Sequence, residues 1–179
     1  MSARLEAATK QYGVTLLLTD AMYNELSYNV CAQCRPLDRV TVKGSTEPVT
    51  LYTHDTSPTG KESCLALPST SYEDHQIVMS KINSKKSDEM FDTFNNNWKT
   101  GFNYYVNGHW SKALQHFHIC YTIRPWDTPL SVLTKYIREA GVTINNGETK
   151  TVSSRTDASN DVNICAPDGW RGFRSLNSK

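Results

Sequence analysis

The chain has 179 residues, which bounds it to one medium domain or two small ones. Nineteen Lys and Arg against 18 Asp and Glu leave a formal charge of +1, so no broad field argues for nucleic acid or an anionic membrane surface as a partner. No apolar run approaches the ~20 residues that cross a bilayer, and five cysteines without any Asn-x-Ser/Thr acceptor suit a reducing, cytoplasmic setting.

In chain order, the first signal is an apolar pattern already running at Met1, which reads as a helix whose beginning lies upstream. Leu5, Ala8 and Tyr12 recur at helical spacing and Gly13 supplies the stop, so the pattern predicts a helix over residues 2–11. Residues 14–18 form a short, unbroken apolar run expected as a strand covered on both faces. Thr19 is placed to cap a helix of about two turns through Leu26, with Met22 and Leu26 turned inward. Residues 31–43 and 49–54 are strand-like, and the Gly and Pro of Gly44-Ser-Thr-Glu-Pro48 between them predict a hairpin.

Residues 56–72 are rich in Ser, Thr, Pro and Gly and read as a linker. Helical spacing then dominates from 73 to 140. Gly101, Tyr104, Gly108, Trp110, Ala113, Phe117 and Pro125 follow the pattern of one tetratricopeptide-like helix pair: Gly101 and Ala113 permit close approach, Gly108 turns the corner, and Pro125 ends the second helix. A lone pair of this kind cannot bury its own face. It is expected to pack near Phe91 and Phe94, on residues 128–140, or on the N-terminal region. Residues 141–163 are polar and expected to be a flexible insertion, and 164–179 a docking tail anchored by Trp170, Phe173 and Leu176.

The helix with Ser2-Ala-Arg-Leu-Glu6 and the stretch from Leu37 to Tyr52 together resemble the closing third of the class III adenylate/guanylate cyclase catalytic domain. The tail's Pro-x-x-Trp-x-Gly, at Pro167 to Gly172, is similar to endings that follow helical repeats in some microbial and protist cyclases. The implied fold is α+β: an incomplete ferredoxin-like cyclase domain over residues 1–55, followed by a small all-α helical-hairpin region. The implied reaction joins a ribose 3′-hydroxyl to the α-phosphorus of the same nucleotide and expels pyrophosphate. Arg4 matches the family arginine that braces phosphoryl oxygens as charge develops, a task suited to a rigid fork of donors. Lys43 matches the lysine that meets the terminal phosphates as a point charge.

The same resemblance implies Mg or Mn as cofactor of the full-length enzyme, ATP or GTP as substrate, and a second cyclase domain as dimer partner. It places the metal-binding aspartates and the purine-choosing residues upstream of residue 1. No metal is therefore expected on this chain, and no turnover from the chain alone. Many relatives form the cytosolic part of a membrane protein. The alternative function is a non-catalytic interaction module whose helical tail binds a protein partner.

Other residues have blander readings. Asp20 follows a helix cap and Asp38 lies in a strand between basic residues, so the helix dipole and surface pairing are expected of them rather than metal binding. Cys31-x-x-Cys34 has no second Cys or His pair at zinc spacing, and strand alternation would point its thiols to opposite faces. His116 and His118 diverge on a helix, and His109 does not repair the geometry. The aromatic set Trp98, Phe102, Tyr104, Tyr105, Trp110, Phe117 and Tyr121 lacks basic interleaving and is expected as core rather than a base-stacking platform. A sheet built from residues 1–55 alone should expose an edge and an apolar face that includes Val14, Leu16, Leu18, Val40 and Val42.

Overall fold

The computed structural model describes residues 2–42, 47–55, 74–145, 148–151 and 163–176; side chains are described for these except 2–4, 74–86, 144–145 and 148–151. The expected linker lies outside the described residues. The fold is α+β. It opens with α1 (Ser2–Tyr12), β1 (Leu18–Thr19), α2 (Asp20–Tyr23), α3 (Tyr28–Ala32), β2 (Cys34–Val42) and β3 (Val49–His54). Three longer helices follow: α4 (Asp74–Val106), α5 (Trp110–Ile123) and α6 (Thr128–Ala140). Four short strands complete it: β4 (Val142–Asn145), β5 (Glu148–Thr151), β6 (Ile164–Cys165) and β7 (Arg174–Leu176).

α1 forms where the apolar spacing predicts, with Ala8 and Tyr12 buried and Leu5 partly so. Gly13 ends it at φ 64°, and a Cβ there would meet Thr128 at 2.7 Å, so both the turn and the approach of α6 require glycine. The run over 14–18 is a strand only at its end, since β1 is the two residues Leu18–Thr19. Thr19 does cap α2, accepting from Met22 N, but the helix stops after one turn at Tyr23 and Met22 is exposed. A second short helix, α3, takes Tyr28–Ala32, so Cys31 is helical and β2 begins only at Cys34.

β2 and β3 form the expected antiparallel hairpin, with a register shift between Pro36 and Asp38. The extra residue in that bulge breaks strict alternation, and Leu37 and Asp38 are both buried. β3 also pairs antiparallel with β1, while the other edge of β2 takes β7 in parallel: Val40 opposite Arg174, Thr41 opposite Ser175, Val42 opposite Leu176. The four-stranded order is β1-β3-β2-β7. The exposed edge expected for residues 1–55 is thus occupied along 40–42 by the chain's own tail, and Leu18, Val40 and Val42 are buried while Leu16 is 47% exposed.

α4 is a single helix that carries both Phe94 and Gly101, so the first helix of the expected pair continues from the one near Phe91. Phe94, Trp98, Phe102 and Tyr105 form its buried stripe, and α5 answers with Trp110, Ala113, Leu114, Phe117 and Cys120. Trp98 meets Phe117 with ring centroids 5.3 Å apart, and Cys120 Sγ donates to Phe94 O, pairings that run in opposite directions along the two helices. A Cβ on Gly101 would fall 2.8 Å from the Phe117 ring, which is the close approach its glycine permits. Leu130, Leu133 and Ile137 of α6 complete this core. The aromatic set is core as expected, except that Tyr121 is 52% exposed.

The polar stretch after α6 holds an ordered piece: β4 pairs with β5 and with β6 in a three-stranded antiparallel sheet. Ile164, the first residue of the expected docking tail, is buried beside Trp110, so the tail joins the helical core from its start. Tail residue Trp170 donates Nε1 to Val106 O at 3.0 Å and packs among Tyr105, Trp110 and Tyr136. Leu176 joins the sheet-side core with Ala8, Tyr12, Leu37, Val40 and Leu51.

Candidate functional site

Arg4 lies in the first turn of α1, and Lys43 follows the last residue of β2. The Arg4 side chain and all of Lys43 lie outside the described residues. The polar chemistry that the structure does place is two buried carboxylate–guanidinium networks that join the N-terminal sheet to the helices.

The first centres on Asp38, which is fully buried. Its Oδ2 accepts from Tyr12 Oη at 2.7 Å and from Arg174 Nε; its Oδ1 accepts from Arg39 N at 2.8 Å and from Tyr105 Oη at 3.2 Å. Arg174 also donates to Tyr12 Oη at 3.1 Å, and its guanidinium lies 4.3 Å from the Tyr136 ring centroid. Groups from α1, β2, α4 and β7 therefore share one carboxylate. The surface role expected of Asp38 is corrected: the bulge after Pro36 turns it inward, where four donors replace water.

Burial, reinforced by the Asp38 charge, pushes the Tyr12 and Tyr105 hydroxyls far above the ordinary tyrosine range. Arg174 is held above its ordinary value because Asp38, Tyr12 and Tyr105 outweigh its own desolvation. The phenols stay protonated as donors and the guanidinium stays charged. The cluster ties α1, β2, α4 and β7 to one another through a single carboxylate.

The second network surrounds Arg35, whose side chain is 4% exposed. Its Nη atoms donate to both oxygens of Asp127, and its Nε lies 3.2 Å from Asp55 Oδ2 without hydrogen-bond alignment. Arg124 Nη1 donates to both oxygens of Asp55 at 3.1 Å, while its Nη2 is buried with no partner. The guanidinium of Arg35 lies over Trp98 at 4.4 Å, and that of Arg124 over Phe94 at 4.2 Å. Asp127 also caps α6 through Leu130 N at 2.8 Å. Trp98 Nε1 donates to Pro36 O, a further tie from α4 to β2.

The remaining candidates stand apart. Asp20 accepts from Ala21 N at 2.8 Å and from Thr50 N at 3.2 Å, fixing the start of α2 against β3. His116 Nδ1 is 2.9 Å from Asn97 Oδ1, and its ring stacks on Tyr104. Among the described residues, no group of three or more His, Cys, Asp and Glu side chains is placed to hold a metal ion, so no step through a metal is assigned to them. No described helix is long and apolar enough to cross a membrane. No family model, curated protein or solved structure matches the chain.

The sequence reading missed Arg35, Asp55, Arg124, Asp127 and Arg174 as buried charges. A faint signal existed for one of them: Asp127 before Thr128-Pro129 has the form of a helix cap. The side-chain hydrogen bonds of the others reach partners 69 to 162 residues away, beyond any local pattern.

Proposed function

We propose that the chain is the C-terminal part of a class III nucleotide cyclase, adenylate or guanylate, acting in cyclic nucleotide biosynthesis and intracellular signal transduction. In this reading residues 1–55 are the closing part of a ferredoxin-like catalytic domain. Arg4 and Lys43 contribute cationic contacts to a nucleoside triphosphate held mainly by a second catalytic domain. Mg or Mn would be bound by aspartates of that second domain and would stabilise the attacking and leaving oxygens.

The observation that carries the reading is the element order over its most similar stretch: α1 closed by Gly13, the short β1, α2, then the β2–β3 hairpin, with Lys43 next in sequence after β2. This order puts Arg4 in the opening turn of a helix packed on the hairpin's sheet, with Ala8 and Tyr12 against Leu37, Val40 and Leu51. A guanidinium there serves as a fork of fixed donors for phosphoryl oxygens, and the Lys43 ammonium as a mobile point charge.

The test mixes the purified chain with a class III catalytic domain that keeps both metal-binding aspartates but has lost its own phosphate-contacting arginine and lysine. With Mg or Mn and either ATP or GTP, cyclic nucleotide should form in the mixture and not from either protein alone. Arg4→Ala should lower that rate by roughly 10²–10³-fold, the usual loss of one transition-state donor. Lys43→Ala should act mainly on KM for the triphosphate. A mixture no faster than the sum of its parts rejects the proposal in favour of the interaction module.

A further inference from the structure

Cys31 and Cys34 are not on one strand with opposed side chains. Cys31 is in the last turn of α3 and Cys34 is the first residue of β2. Between them Ala32 is helical and Gln33 sits at φ −91°, ψ −3°, so the two intervening residues keep a right-handed turn. Such a turn holds its first and fourth Cα atoms within about 7 Å, the range in which a disulfide closes without moving the backbone. The turn is pinned from outside: Gln33 O accepts from Asp55 N at 2.8 Å, and Gln33 Oε1 is 3.0 Å from His54 Nε2.

The two sulfurs are unequal. Cys34 is 3% exposed, whereas Cys31 is half-buried and its Sγ lies near Tyr23 O at 3.4 Å and Leu26 O at 3.6 Å. Burial raises the Cys34 thiol, and the neighbouring Cys31 adds to that shift. By contrast Cys120 is fully buried, its thiol pushed up to about 12 chiefly by burial, which makes it inert. Two thiols at the first and fourth positions of one turn can close to a disulfide, so thiol–disulfide exchange is a chemistry this pair can carry.

We propose that Cys31 and Cys34 are a reversible dithiol–disulfide pair that responds to a small disulfide such as glutathione disulfide. Cys31, as thiolate, attacks one sulfur of the oxidant; the S–S bond breaks, and the departing glutathione thiolate takes up a proton. Cys34 then loses its proton and attacks the Cys31 sulfur of the mixed disulfide, expelling the second glutathione. Two protein thiols are oxidised and one glutathione disulfide is reduced to two thiols. Closure draws Cys31 Sγ away from Tyr23 O and Leu26 O, loosening the end of α2 beside the stacked Tyr23–Tyr52 rings. This chemistry is independent of nucleotide cyclisation.

The test equilibrates the full chain with reduced and oxidised glutathione at several ratios, alkylates the remaining thiols and maps the peptides by mass. One 31–34 crosslink should form, with Cys64, Cys120 and Cys165 still alkylated. Cys34→Ser should instead trap glutathione on Cys31, and Cys31→Ser should slow modification of Cys34 by at least about tenfold. The crosslink should also form at a glutathione disulfide level at least about tenfold lower in the folded chain than in urea, because the turn is already made. A Cys31 that stays free or glutathionylated in the native chain, a crosslink to another cysteine, or equal closure in urea would overturn the proposal.

Discussion

The two buried ion networks use the same chemistry and differ in how completely they close. Around Asp38 the two carboxylate oxygens accept from four donors, and the single guanidinium, Arg174, comes from a strand 136 residues further along the chain. Around Arg35 two guanidiniums face two carboxylates, yet Arg35 Nε lacks an aligned acceptor and Arg124 Nη2 has none. Aromatic faces of Phe94 and Trp98 cover what the acids do not satisfy. The lesson is about redundancy. The Asp38 cluster depends on one anion with no substitute, whereas Arg35 faces two acids, Asp127 and Asp55, and only Arg124 relies on Asp55 alone.

The sharpest way to break that comparison is Asp38→Asn. It leaves Arg174, 11% exposed, without its counter-charge, and should cost about 3–5 kcal/mol in denaturant unfolding. Asp127→Asn should cost less, about 1–3 kcal/mol, because Arg35 keeps Asp55 at 3.2 Å and an asparagine can still cap α6. Equal losses for the two variants would show that redundancy does not matter here.

Alkaline titration separates the networks again. Tyr12 and Tyr105 keep their protons in the folded chain well above the pH at which the unfolded chain releases them, about 10. The folded state then binds more protons, so stability is intact below pH ~10 and falls as pH rises, by up to about 1.4 kcal/mol per tyrosine for each further pH unit. Tyr12→Phe and Tyr105→Phe should each flatten that slope, measured by thermal unfolding across the pH series. At neutral pH Tyr105→Phe should cost only about 1 kcal/mol, since Asp38 keeps three other donors. At the bottom of the scale, Lys135→Ala removes a helix-surface pair with Glu139 at 3.8 Å and should change stability by less than about 0.5 kcal/mol.

Local patterns in the sequence determined the elements whose stabilising contacts are near in the chain. α1, the β2–β3 hairpin, the α4–α5 turn and the stop before Pro125 are all read from spacing, glycine and proline, because helix and turn formation depend on neighbours within a few residues. The tail anchors Trp170 and Leu176 were legible as isolated apolar residues in polar company, although not what they would meet. The roles proposed for Arg4 and Lys43 rest on resemblance alone, since a single cation carries no physical signature of its task.

Only tertiary structure decided the inward turn of Asp38, the parallel addition of β7 to β2, and the shielding of Arg35 by two aromatic rings. Each depends on a partner tens of residues away, and a charge becomes affordable in the interior only once that partner arrives. Sequence periodicity counts water-avoiding side chains one face at a time. It has no means of registering that a carboxylate at position 38 and a guanidinium at position 174 neutralise each other when the chain closes.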